Sequence, residues 1–188
     1  VNINGHFNYN TIARSVLNMV AAKLPTIPGL TRQPQKEVND FTINASISNT
    51  DWMKYLLGIP LEIYSPLNIS GELNDKHEKI DLWCDVPSFA YDGNRFSDAF
   101  VNIESPNDTL KADIRIKKLA DKGKYMSLQL SAGASDNHLN TSLSFGNNER
   151  HPLKGVINAS TVFAKNIDGV STAYVDVLPS RATIGDTT

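Results

Sequence analysis

The stretch from Leu110 to Phe145, LKADIRIKKLADKGKYMSLQLSAGASDNHLNTSLSF, contains three runs in which apolar residues fall on every second position. Leu110, Ala112, Ile114 and Ile116 alternate with Lys111, Asp113, Arg115 and Lys117; Met126, Leu128 and Leu130 alternate with Ser127 and Gln129; and Leu139, Thr141, Leu143 and Phe145 form the third run. A period of two marks a strand with one apolar face and one solvated face. Lys122-Gly123 and Ser135-Asp136-Asn137 supply turn chemistry between the runs. The three strands are therefore expected to pair as antiparallel neighbours.

The same pattern extends in both directions. Phe41/Ile43/Ala45/Ile47, Leu61/Ile63, Leu67/Ile69/Gly71/Leu73, Ile80/Leu82/Cys84/Val86, Phe89/Tyr91, Ala99/Val101/Ile103 and Ala173/Val175/Val177 all keep period two. Asn74-Asp75, Asp92-Gly93-Asn94, Pro106-Asn107-Asp108 and Gly146-Asn147-Asn148 punctuate them, so an antiparallel meander is expected. Residues 1 to 9 alternate as Val1, Ile3, Gly5, Phe7 and Tyr9, predicting a strand with one buried face. From Asn10 the period becomes helical. Ile12, Val16, Leu17, Val20 and Leu24 predict an amphipathic helix over about 11–24, with Asn10 or Thr11 as N-cap and Pro25 as stop. Pro25 to Glu37, with three prolines and Gly29, reads as a connection. Asn49-Thr50-Asp51 offers caps for a short helix from Trp52 to Leu57, closed by Gly58. The chain thus divides into residues 1–37, a strand, a helix and a Pro-rich connection, and residues 38–188, an antiparallel sheet.

Sheet width sets the next question. About ten strands ~4.8 Å apart make a sheet on the order of 45 Å wide, while a helix with its side chains covers only ~10 Å. Two helices cannot cover such a face. The sheet must close into a barrel, fold into a sandwich, or curl into a trough whose apolar lining something else covers. Aliphatic residues rather than large aromatics dominate the inward rows, which suits a sandwich or an open groove alike.

Composition narrows the functions. The 188 residues are 40% hydrophobic and 20% charged, enough for a real core, and Asn, Ser and Thr together supply 47 of them, favouring solvated strands. A formal charge of -2 gives no electrostatic footprint for nucleic acid. Arg115, Lys117 and Lys118 read as the solvated side and end of one strand, with nothing aromatic interleaved. Cys84 is the only cysteine and reads as a buried small hydrophobe, excluding a disulfide framework. His6, His77, His138 and His151 are scattered, with no metal-ligand spacing, and no nucleophile elbow or Gly-rich phosphate loop occurs. Asp81, Asp85, Asp92 and Asp98 form a loose acidic set that could pair for glycoside hydrolysis, but Asp81 and Asp85 fall on the outward side of their strand. Trp83 shares that side, as a partner contact or packed against a loop. The expectation is a non-enzyme without cofactors. No stretch approaches the ~20 apolar residues of a membrane helix, and Val1 begins no signal peptide. An anchor or export signal is expected outside this segment.

Val1-Asn2-Ile3-Asn4-Gly5-His6-Phe7-Asn8-Tyr9-Asn10, running into the helix and Leu24-Pro25, resembles a recurrent unit of the TamB-like (AsmA-like) family of envelope proteins. Asp176-Val177-Leu178-Pro179-Ser180, followed by Ala182-Thr183-Ile184-Gly185-Asp186, is similar to that family's strand-then-"PS" phrase. These motifs are short, and the middle of the chain carries the likeness by strand pattern. The resemblance implies a mainly β fold: an antiparallel meander curled into an open apolar trough, β-taco-like, with the N-terminal helix and the short helix. It also implies a periplasmic location in a diderm bacterium, with the full-length protein anchored in the inner membrane. It further implies phospholipid or another apolar cargo in the trough, an outer-membrane barrel partner, and a part in lipid transport, outer-membrane assembly or both. The groove-lining positions come from the period-two rows: Ile43, Ile47, Ile63, Ile69, Leu73, Ile80, Leu82, Val101, Ile103, Leu110, Ile114, Ile116, Leu128, Leu130, Leu143 and Val175. Two competing readings stand beside this one. One is a closed β-sandwich, structural, adhesive or glycan-binding; the other is a carbohydrate-active enzyme or lectin built on Asp81, Asp85 and Trp83.

Overall fold

The computed structural model describes residues 1–51, 55 and 58–185. They form one antiparallel sheet of eleven strands with one long helix on it. The strands are β1 (Asn2–His6), β2 (Asp40–Ile47), β3 (Leu61–Ile63), β4 (Leu67–Asn74), β5 (Lys79–Tyr91), β6 (Asn94–Glu104), β7 (Leu110–Leu119), β8 (Tyr125–Ser135), β9 (His138–Asn147), β10 (Leu153–Lys165) and β11 (Ser171–Ile184); the helix, α1, is Tyr9–Lys23. The spatial order is β1-β2-β4-β5-β6-β7-β8-β9-β10-β11, with β3 beside the far half of β5. The outermost strands, β1 and β11, do not pair with each other. The sheet is open, not a barrel.

From β4 onward nearly every connection is a hairpin, because the turns carry residues that tolerate positive φ. Asp92 and Gly93 (φ 48° and 73°) and Asp136 and Asn137 (φ 47° and 61°) turn the chain in two residues, the twist that suits a hairpin. The structure differs from the sequence expectations at several points. The first strand spans only Asn2–His6 and is exposed throughout, because it is an edge with α1 leaving straight after it. Asn8 caps α1, its side chain accepting from the Asn10 N–H, so neither Asn10 nor Thr11 does. Phe89 and Tyr91 extend β5 through Pro87 and make no separate strand. β10 is a strand the periodicity missed: its inward positions Gly155, Ala159 and Thr161 are too small or polar to signal one. The short helix expected at 52–57 lies outside the described residues.

α1 lies across the strands at one end of the sheet. Met19 packs with Phe41, Leu73 and Ile80, flanked by Ile12, Val16, Ile43, Leu82, Ile103 and Leu110. Past its C-terminus Leu24 packs with Ala134 and Phe163, flanked by Val20, Ile27 and Leu139. Polar latches fix both ends. At the start, Ser15 Oγ (2.9 Å) and the Asn39 N–H (2.6 Å) donate to Asp75, and the Asn39 amide donates to Ser15 (2.8 Å) and Thr11 (3.1 Å). Ser15 and Asn39 are fully buried, and their mutual bonds remove the cost of burying them. At the other end the Asn137 N–H donates to the Lys23 carbonyl, and the Thr26 N–H and hydroxyl donate to the Asn137 side chain.

Candidate functional site: the apolar face of the sheet

Cross-strand partners share a face, so the register decides which side chains stand together. One row runs Ile43, Gly71, Leu82, Ile103, Ala112, Ala132, Thr141, Ala159 and Val177. The next runs Ala45, Ile69, Cys84, Val101, Ile114, Leu130, Leu143 and Ile157. Further from α1, Ile116, Leu128, Phe145 and Gly155 make another. Nearest α1, Phe41, Leu73 and Ile80 lie in line, as do Leu110, Ala134, Leu139, Thr161 and Val175. Ile47 is on this face two residues beyond Ala45.

Ile63 reaches the same face by a less direct route. It pairs with Phe89, which stacks on its own partner Phe96 at 5.1 Å, and Phe96 pairs with Lys118, opposite Met126. This works because β6 holds a bulge: the register against β7 slips between Ser97 and Phe100, where Asp98 takes φ 52° and Lys117 binds its carboxylate at 2.7 Å. Fifteen of the sixteen positions drawn from the period-two rows therefore share one face by direct pairing or alternation, and Ile63 joins them only by way of the bulge. The sequence did not signal the bulge, since Asp98 looks like any outward polar residue.

The helix divides these sixteen. Leu73 and Ile80 are 5% and 2% exposed, and Ile43, Leu82, Ile103 and Leu110 pack around them beneath α1. These six are the contact surface of α1. The other ten, Ile47, Ile63, Ile69, Val101, Ile114, Ile116, Leu128, Leu130, Leu143 and Val175, are half-buried or exposed, up to 40% at Leu128 and 60% at Val175. Gly155 was not among the sequence's candidates but shapes this region. A Cβ there would stand 2.6 Å from the Phe145 ring, so only glycine lets that ring lie across β10. Cys84 is half-buried on the open row, not fully enclosed, and burial followed by the Asp85 charge pushes its thiol pKa up.

The opposite face is polar, carrying Asp81, Trp83, Asp85, Asn102, Asp113, Arg115, Gln129, Ser131 and Ser142 in register. Trp83 packs edge-on against Phe100, at 6.2 Å and 73°, and not against a loop. Aromatic rings do interleave with the basic residues across strands: Arg115 lies 4.3 Å over Phe100 and Lys117 5.3 Å over Tyr125. Lys117 has a raised pKa, chiefly from its hydrogen bond to Asp98. Among the described residues no three His, Cys, Asp or Glu side chains are grouped to hold a metal ion, and no helix is long and apolar enough to cross a membrane. Comparison with family models, with curated proteins and with solved structures found no match to this chain.

Proposed function

We propose that this chain is a groove segment of a TamB-like envelope protein, conducting phospholipid acyl chains, or cradling other apolar cargo, along the uncovered part of its sheet. The observation that carries the reading is that, among the described residues, α1 covers only one end of a continuous aliphatic face and leaves the rows through Ile114 and Leu128 open. Monomeric proteins rarely leave contiguous apolar patches of more than a few hundred Å² in water. A row of aliphatic side chains without charges is the surface that lipid tails need, at roughly 0.8 kcal/mol per buried CH₂.

The reach of α1 supports a curled sheet. Its fifteen residues measure ~22 Å, yet it and the residue after it touch strands from β2 to β10, seven spacings or ~34 Å apart on a flat sheet. A sheet bent around the helix brings those strands within reach. On this reading the protein acts in the periplasm, tied to the inner membrane by other parts of its chain and working with an outer-membrane barrel. It binds and guides without catalysis, cofactor or nucleic acid.

The test is native mass spectrometry after incubation with vesicles of phosphatidylethanolamine and phosphatidylglycerol. Phospholipid is expected on the wild-type chain and absent from Ile114→Arg. A wild-type chain that carries no lipid, or an Ile114→Arg chain that carries as much, rejects the groove.

A further inference from the structure

We propose that the polar face carries a second, independent site that binds a neutral or amino-bearing pyranose of a glycan strand, with Trp83 as its platform. Trp83 is 37% exposed and stands between Asp81 and Asp85 on β5. Beside it, past Phe100, is a depression of about 310 Å³ bordered by Phe100, Asn102, Asp113, Ile114, Arg115 and Gln129. The register fixes this constellation. Trp83 is opposite Asn102, which is opposite Asp113, while Phe100 is opposite Arg115, which is opposite Gln129.

A pyranose needs two things of a protein. Its C–H face rests on an aromatic ring, whose electron-rich face attracts those hydrogens, and its hydroxyls each need a donor and an acceptor once water is displaced. The exposed indole supplies the first. For the second, the Asn102 amide on the neighbouring strand serves the ring on Trp83, and the Gln129 amide, three strand spacings or ~14 Å from Trp83, serves a further sugar of the same glycan; each offers donors and an acceptor and makes no hydrogen bond to another described residue. Asp113 spends one oxygen on the Ser131 hydroxyl at 2.5 Å, keeping the other. Arg115 rests on Phe100, its guanidinium carbon 4.3 Å from the ring centroid, and brings N–H donors to the edge of the depression. All of these groups stand on paired strands, so little order remains to be imposed on binding.

Charge selects the sugar class. Asp81, Asp85 and Asp113 outnumber Arg115, and the flanking cations Lys79, Lys111 and Lys117 are engaged by Glu72, Glu104 and Asp98, so the surroundings repel phosphate and sulfate.

The experiment is an NMR titration of the whole chain with tri-N-acetylchitotriose and, separately, with maltotriose. At least one is expected to shift the indole N–H resonance that vanishes in Trp83→Ala, together with the Asn102 and Gln129 amides. Trp83→Ala should weaken binding at least tenfold and Asn102→Ala several-fold, both with the β-sheet circular dichroism of wild type, because neither side chain belongs to the core beneath α1. Trp83→Phe, which keeps a ring, should retain part of the affinity. No shift with either sugar overturns the site; so does a shift that survives Trp83→Ala, or a larger response to inorganic phosphate. Loss of lipid binding on the apolar face leaves these outcomes unchanged.

Discussion

The two ends of the apolar face are built from the same residue types in the same period, and the structure treats them differently. Beneath α1, Leu73 and Ile80 are closed off by Met19 and joined to the buried latch of Ser15, Asn39 and Asp75. A few residues along the same strands, Ile69, Val101, Ile114 and Leu130 meet no second layer among the described residues. Period two tells which side of a strand is apolar; it does not tell what lies on that side. Coverage is decided by the helix, whose width is one row or two.

The strongest way to break this contrast is to place a charge at each end. Ile80→Asp buries a carboxylate with no partner, costs several kcal/mol and is expected to leave the chain unfolded by circular dichroism. Ile114→Arg should melt within a few degrees of wild type, since the guanidinium can reach water from an open row. Equal collapse of the two variants would mean that the open rows are a closed core. Truncation gives the same contrast at lower amplitude. Leu73→Ala should cost about 3 kcal/mol in urea denaturation and Leu128→Ala under about 1, because only the first leaves a cavity. Asp75→Ala should cost about 2 kcal/mol, the worth of two hydrogen bonds to a carboxylate whose donors are then left unpaired. Its deuterium uptake should rise along Tyr9–Lys23 and stay unchanged in β7 to β9; uniform uptake would show that the latch does not hold α1 separately.

The strands were legible wherever large aliphatics alternate with charges, as in Ile114-Arg115-Ile116-Lys117. They were not legible in β10, where the inward row is Gly155, Ile157, Ala159 and Thr161. Gly155 is small because the Phe145 ring crosses it, a cross-strand fact that no local window contains. The sixteen apolar positions could be read from the sequence, but not their division into six beneath α1 and ten in the open, which depends on where the helix lands. The helix itself was plain from its period. Its cap was misplaced because Asn8 also sits in the alternation that reads as strand. On the polar face, Trp83, Asp81 and Asp85 could be seen as a set, but Arg115 and Phe100 join them only through pairing between β5, β6 and β7.

The smallest effect is read at Cys84, a native reporter on the open row. Its pKa is raised, first by burial and then by the Asp85 charge, so the folded chain holds the proton more tightly than the unfolded one. The sign follows from linkage: this contribution to stability is complete below the unfolded thiol's pKa of about 8.5 and is lost as pH rises through the higher folded value. Melting curves above that pH should therefore decline slightly less steeply in Cys84→Ala than in wild type. Because the thiolate is the reactive form, N-ethylmaleimide should label Cys84 slowly at neutral pH and faster above pH 9 or so. A cysteine at Ala134, in a Cys84→Ser background, lies under Leu24 and should label only as fast as α1 lifts from the sheet. Phospholipid in the groove should protect Cys84 and leave the Ala134 rate as it was. If the two thiols label at one rate, with and without lipid, the apolar face does not have two regions.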